Sequence, residues 1–399
     1  MKITRVRTLS IAEAPKLLFV LLDTDEGLTG LGETVFLPDA VAAVIHKHIA
    51  PALLGKDPRD IERHWNDIFE STRVMLTRSA EMRALSAIDI ALWDLFGKAV
   101  SMPVHRAMGG TYRESIPVYN TCAGYRYGPY VAESRSLGNY QPSGEGRYED
   151  LEAFLNRPGE LAQDLFDEGF RAMKIWPLDR LARPSGGHKI SLEELKEGLH
   201  PLEEIRKVLG DKMEIMLEMH NLWDVTSAIR IARAAEALEP AWYEDPLRMD
   251  NIRALKQFHD ATGIATCGSE TLSTRWSFRE LFQAEAVSIA MADLAWCGGL
   301  SEGRKIAAMA DAFHLPVTFH DCTGPVTFMA SVHLCMHAPN AQIQEMVRAF
   351  YSGWFPKFVT QLPKVKGGQV YAPSGPGLGT ELLPETLDRD DATLLASAL

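Results

Sequence analysis

The sequence lacks any apolar run long enough for an export signal or a membrane-spanning helix. Its best stretch, LLFVLL, is six residues between Lys16 and Asp23, which is strand-like. Positive charge is in short supply: 41 Lys and Arg face 53 Asp and Glu, a formal charge of −12. That balance excludes nucleic acid and anionic membrane surfaces as partners, since both demand basic patches. Cysteines are few, odd in number and scattered: Cys122, Cys267, Cys297, Cys322 and Cys335, with no CxxC pair. A disulfide framework does not fit them, and a reduced, cytoplasmic setting is expected. A phosphate loop is missing too. The GPGLG run at 375–379 has no Lys-Ser/Thr after it and reads as turns.

The 399 residues, 46% hydrophobic and 24% charged, have the make-up of a globular protein. A (β/α)₈ barrel takes about 250 residues, so roughly 150 remain for a second domain. Residues 2–34 read as a β-meander broken by DEG and TG turns, and residues 38–109 switch to helical periodicity. In RALSAIDIALWDLFGKAV, Leu85, Ile88, Ala91, Leu92, Leu95 and Ala99 form one apolar stripe. From residue 115 the pattern alternates β and α, as a parallel sheet or barrel requires. Eight barrel strands are expected near 115–121, 171–176, 213–219, 241–244, 264–269, 287–292, 316–319 and 341–345. The Gly- and Pro-rich tail can return to complete the first domain. The expected division is 1–112, 113–350 and 351–399.

Glu218, Glu244 and Glu270 stand 26 positions apart in succession, each at the end of a short apolar run. A strand–helix unit needs about that many residues, and barrel strands finish at one common face. Any one of these glutamates alone also suits a helix N-cap. Three in phase place like charges together, which is costly unless a divalent cation lies between them. Asp293 ends the sixth expected strand and His320 the seventh. Neighbouring strand ends make them a carboxylate–imidazole pair suited to a general base. Glu345 ends the eighth, where it can donate or accept at a bound oxygen. An insertion at 124–149 carries Tyr125, Arg126, Tyr127 and Arg135, which suit either a polar ligand or a subunit contact. His333, Cys335 and His337 lack a carboxylate or further ligand nearby and make a poor zinc site.

Taken together, these residues resemble the enolase superfamily, mandelate racemase subgroup, along nearly the whole chain. SAIDIALWDLFGKAVSMPVHRAMGG is similar to that family's signature at the end of its capping domain. The resemblance implies an α/β architecture: a TIM-type barrel with an α+β capping domain built from the N-terminal region and the C-terminal tail. It implies Mg²⁺ held by Glu218, Glu244 and Glu270, and His320 as base, oriented by Asp293. The common first step is removal of the proton beside a substrate carboxylate, with Glu345 stabilising the enediolate. By position, residues 36–40 and 72–77 are the closing loops. Family barrels often assemble, so a homo-oligomer is expected.

Two departures from the racemase pattern bear on the reaction. Racemases of the family carry Lys-x-Lys at the end of the second strand, but here it is Lys174-Ile175-Trp176. The lysine that serves as a base is replaced by tryptophan, leaving Lys174 to neutralise the substrate carboxylate or to assist from the opposite face. His220, two residues after Glu218, resembles the histidine that assists loss of the β-hydroxyl in the subgroup's sugar-acid dehydratases. The expectation is a Mg²⁺-dependent sugar-acid dehydratase with His320 as base, His220 as acid, and Trp176, Tyr125 and Arg126 at the substrate. An epimerase, racemase or cycloisomerase is the alternative within enzymes, and a non-catalytic sugar-acid-binding barrel the alternative outside them. A glutamate as first ligand, where most of the subgroup has aspartate, moves that carboxylate by about a bond length.

Overall fold

A computed structural model describes residues 1–72, 79–127 and 147–399. The expected meander is an antiparallel sheet of β1 (Ile3–Ile11), β2 (Ala14–Thr24) and β3 (Thr29–Val35). The last strand of the chain, Ala392–Ala398, pairs with β1, so the C-terminus completes the sheet begun by the N-terminus.

The helix Ala80–Ala99 differs from the single stripe read from its sequence. It is buried on nearly every side, while Ala99 is exposed at its end. The cause is its position between β3 and the barrel helix Gly299–Ala312. Toward the sheet, a Cβ at Gly30 or Gly32 would collide with the carbonyls of Ala91 or Ala87, so only glycine permits this approach. Toward the barrel, Trp93 Nε1 donates to Ser301 Oγ (2.8 Å), and Asp89 accepts from Ser301 N (2.8 Å).

All eight expected barrel strands are present: β4 (Ser115–Thr121), β5 (Ala172–Ile175), β6 (Glu214–Glu218), β7 (Trp242–Glu244), β8 (Thr266–Gly268), β9 (Ile289–Ala292), β10 (Val317–Phe319) and β11 (Gln344–Met346). Neighbours from β4 to β10 are parallel, and β11 closes the ring onto β4. The last strand starts later than expected because residues 341–342 are spent on the link to β10: a bridge from Ala341 to Val317 and a bond from Gln342 N to Val317 O (3.0 Å). Crossover helices form where caps allow. Asp224 Oδ1 accepts from Ser227 N (2.8 Å) and opens Val225–Ala235. Tyr119, Met216, Trp242, Cys267 and Met291 fill the lumen and form the floor under the strand ends.

The tail divides its contacts. β12 (Val365–Lys366) and β13 (Gln369–Tyr371) form a hairpin on the outer edge of β4. The GPGLG segment is a turn, as expected, and Leu378 N donates to Asp94 of the long helix (2.7 Å). At the seam between sheet and barrel, Glu33 accepts from Val326 N (3.2 Å), Thr327 N (3.0 Å) and the Thr327 hydroxyl (2.8 Å). These groups open the helix Pro325–His337, a favourable place for a carboxylate. Of the two expected closing loops, Phe36 and Leu37 both take left-handed backbone angles before the helix at Pro38, whereas 73–78 lie outside the described residues. Residues 128–146 of the insertion, with Arg135, also lie outside them. No helix among the described residues is long and apolar enough to cross a membrane.

Candidate active site

The β6–β7 register sets Glu218 directly beside Glu244, and Glu270 lies two residues past β8. One carboxylate oxygen of each lies within 4.8 Å of the others, the only such cluster among the described residues. Burial, then the charge of Glu218, pushes the Glu244 carboxyl well above its usual range. Trp242 Nε1, at the top of the lumen, donates to Glu244 Oε2 (2.9 Å). Glu218 Oε1 accepts from Met219 N (3.0 Å) and His220 N (2.7 Å), while its buried Oε2 has no hydrogen-bond partner. Lys174 supplies the nearest positive charge: Nζ contacts Glu244 and lies 2.6 Å from Glu345 Oε1 and 3.4 Å from Glu218 Oε2. Burial opposes its charge, but Glu244 and Glu345 outweigh burial and raise its pKa well above the usual lysine range. One ammonium facing three carboxylates leaves negative charge over. Hard, clustered oxygens, with Glu218 Oε2 free of hydrogen bonds among the described residues and met by Lys174 at 3.4 Å, fit a divalent cation.

Two imidazoles flank this cluster. His320 Nδ1 lies 2.6 Å from Asp293 Oδ2, as the strand-end reading requires, and Nε2 lies 2.8 Å from Glu270 Oε2. Burial disfavours its cation, but Glu270 and Glu345 reverse that and raise it well above the usual histidine range. Asp293 is fixed in turn by Ala295 N (2.7 Å). The Trp296 ring lies 5.2 Å from the His320 ring, and the Arg83 guanidinium lies 4.6 Å from the centre of the Trp296 ring. His220 Nδ1 lies 2.8 Å from Asp179 Oδ2. Burial lowers its pKa, yet the charges of Asp179 and Glu218 lift it to about 10.

Glu345 accepts from the Thr121 hydroxyl and from Asp321 N (3.0 Å) besides Lys174, so it is held against the cluster on β11. Trp176 is buried between the rings of Phe154 (5.3 Å), Tyr127 (5.4 Å) and His220 (5.5 Å), and forms a wall behind the second imidazole. No described contact ties Tyr125 or Arg126 to the cluster. The Tyr125 hydroxyl accepts from Tyr148 N (3.3 Å) and its ring lies against Gly353, while Arg126 is exposed.

Sequence reasoning missed Asp179, Thr121 and Arg83. Asp179 had a signal, as the first acidic residue after the altered Lys-Ile-Trp. Thr121 and Arg83 had none, since hydroxyls at strand ends and arginines in helices are commonplace. Among the described residues His333, Cys335 and His337 join no cluster of three candidate ligands: His333 Nδ1 meets His105 Nδ1 (2.9 Å), His337 Nδ1 meets Gly110 O (3.0 Å), and Cys335 donates to Gln344 (3.1 Å).

Residues 158–386 match the family model described as enolase C-terminal domain-like. Residues 5–109 match the N-terminal domain of the mandelate racemase / muconate lactonizing enzymes. A solved enolase of the mandelate racemase subgroup from Agrobacterium tumefaciens is 42% identical, with 100% of this chain and 99% of that one covered and a TM-score of 0.88. The arabinonate dehydratase of Saccharolobus solfataricus is 26% identical over 92% of this chain and 89% of its own. The D-mannonate dehydratase of Novosphingobium aromaticivorans is 27% identical over 96% and 93%. The strand-end carboxylates, the His320–Asp293 pair and these matches agree: the chain belongs to the enolase superfamily, in its mandelate racemase subgroup.

Proposed function

We propose that the protein is a Mg²⁺-dependent sugar-acid dehydratase, converting a polyhydroxy acid to its 2-keto-3-deoxy acid. The observation that carries this reading is the pair of imidazoles on either side of one carboxylate cluster: His320 held by Asp293, and His220 beside Glu218. A racemase of the family needs a second base at the position where this chain has Trp176. An elimination needs instead an acid for the departing hydroxyl, the role His220 takes in this reading. The dehydratase names of the arabinonate and D-mannonate relatives support the same choice.

A divalent cation held by Glu218, Glu244 and Glu270 would supply the positive charge that makes the proton beside a carboxylate removable. The chain's own residues do the rest. His320 Nε2 takes the proton from carbon 2, and Asp293 stabilises the imidazolium this creates. Lys174 and Glu345, joined at 2.6 Å, face the oxygen where charge develops. His220 delivers a proton to the hydroxyl on carbon 3, which leaves as water. The resulting enol relaxes to the ketone. Trp176, Trp296 and Phe36 are apolar surfaces that exclude water from these transfers.

The test is a panel of aldonic acids incubated with the protein, with and without EDTA, scored for 2-keto acid. Product that appears with Mg²⁺ and disappears with EDTA is expected for at least one acid. Inversion of a substrate with no loss of water would replace the dehydratase by an epimerase.

A further inference from the structure

Asp179 has one side-chain hydrogen bond among the described residues, to His220 Nδ1 at 2.8 Å. It is buried at 4% exposure, and its other oxygen, Oδ1, has no partner. Although it begins the short helix Asp179–Ala182, it caps no backbone N–H there. Burying a carboxylate for a single imidazole is unfavourable as a stability device, because desolvation costs as much as the contact returns. Its placement therefore calls for a purpose in the imidazole. His220 is restrained on three sides: Asp179 at Nδ1, the Trp176 ring edge-on at 5.5 Å and 79°, and a left-handed backbone angle (φ 47°). Nε2 is left without a protein partner among the described residues.

Position in the barrel adds the second half. His220 follows β6 and His320 follows β10, and either way round the closed ring, through β7–β8–β9 or through β5–β4–β11, three strands separate them. The two imidazoles therefore approach the carboxylate cluster from opposite walls.

We infer that Asp179 is a positioning residue. It accepts from His220 Nδ1–H and so holds Nε2–H toward the substrate, opposite the Asp293–His320 pair, so that elimination is anti. The inference rests on the dehydratase reading above. In the step it describes, the carbon 2–hydrogen bond breaks on one face and its proton goes to His320 Nε2. Its electron pair is first held in the enediolate, and then becomes the carbon 2–carbon 3 double bond as the carbon 3–oxygen bond breaks on the other face. The proton on His220 Nε2 joins that oxygen, and water departs.

The test uses the full chain with Mg²⁺ and an acid turned over by the wild type, following 2-keto product and exchange of the α-proton in D₂O. Asp179→Asn is expected to lower product formation by roughly 10²–10⁴-fold while exchange stays within a few-fold of wild type. His220→Asn should show the same split, and the double variant should lose little more than either alone. Exchange and product falling together would make Asp179 merely structural, and an unchanged product rate would remove it from the reaction. If Asp179→Asn does not fold, Asp179→Glu, which keeps the charge but displaces it, is judged by the same split. A spectroscopic arm stands apart from turnover. A downfield proton resonance, assigned to His220 Nδ1–H by its loss in His220→Asn, should vanish in Asp179→Ala. Its persistence there would overturn the inference even if no acid is dehydrated, whereas a wild type that exchanges protons without releasing water would overturn the dehydratase reading instead.

Discussion

Buried carboxylates occur in two regions of this molecule, and they are set differently. Along the seam between sheet and barrel, Glu33, Asp89 and Asp94 are placed singly, each receiving backbone N–H groups from another element. At the barrel's strand ends, Glu218, Glu244 and Glu270 are placed together, within 4.8 Å. Glu270 has only His320 as a described partner, and Glu218 Oε2 has no hydrogen bond. Seam carboxylates bridge two parts of the chain, and although Asp89 Oδ1 is left without a hydrogen-bond partner, no second carboxylate crowds it. Strand-end carboxylates repel one another, an arrangement that folding alone would not favour. The comparison separates a group kept for architecture from groups kept for chemistry, although all but the half-buried Glu270 are buried acids.

The sharpest way to break this contrast is to neutralise one member of the cluster. Glu244→Gln keeps size and the Trp242 contact but removes the central charge. A bound cation contributes several kcal/mol to the transition state, so kcat/KM should fall by roughly a thousandfold or more. Wild-type protein at 100 times the Kd for Mg²⁺ should gain about 2.7 kcal/mol of stability, and the variant should gain almost none. A variant that keeps its activity and its Mg²⁺-dependent melting shift would remove Glu244 from the metal site. Next in size is His320→Asn, expected to cost roughly 10²–10⁴-fold in turnover and to abolish α-proton exchange as well. Exchange surviving in that variant would mean another group is the base.

What could be read from the sequence follows the same line. Strands and the cluster were legible because a barrel repeats: each strand ends on the same face, so spacing alone brings Glu218, Glu244 and Glu270 together, and neighbouring strands bring Asp293 to His320. Features outside the repeat were not legible. Asp179 reaches His220 from an irregular turn after β5, which no periodicity predicts. The long helix Ala80–Ala99 showed a stripe, yet its buried polar face serves the seam through Asp89 and Asp94, which pattern alone counts as solvent-facing. Insertion residues Tyr125 and Arg126 were chosen by chemistry without a spacing to hold them.

The smallest effect belongs to the seam, and it concerns stability rather than turnover. Burial pushes the Glu33 carboxyl from its ordinary 4.5 up to about 7, against the pull of the Thr327 and Val326 donors. Between these two values the folded protein binds a proton there that the unfolded chain does not. Stability from this group is therefore retained at low pH and lost as pH rises from about 4.5 through about 7. A shift of this size corresponds to roughly 3 kcal/mol when complete. Glu33→Gln cannot ionise, but its amide presents a donor to the donors of the Pro325–His337 helix, at a cost of about 1–3 kcal/mol. The variant should be the less stable protein near pH 5, and the gap should narrow as the wild type loses stability toward pH 8. Chemical denaturation of the metal-free proteins at a series of pH values measures the difference directly. A gap that stays constant from pH 5 to pH 8 would show that Glu33 ionises alike in both states, and that the seam acid is no more burdened by its burial than an exposed one.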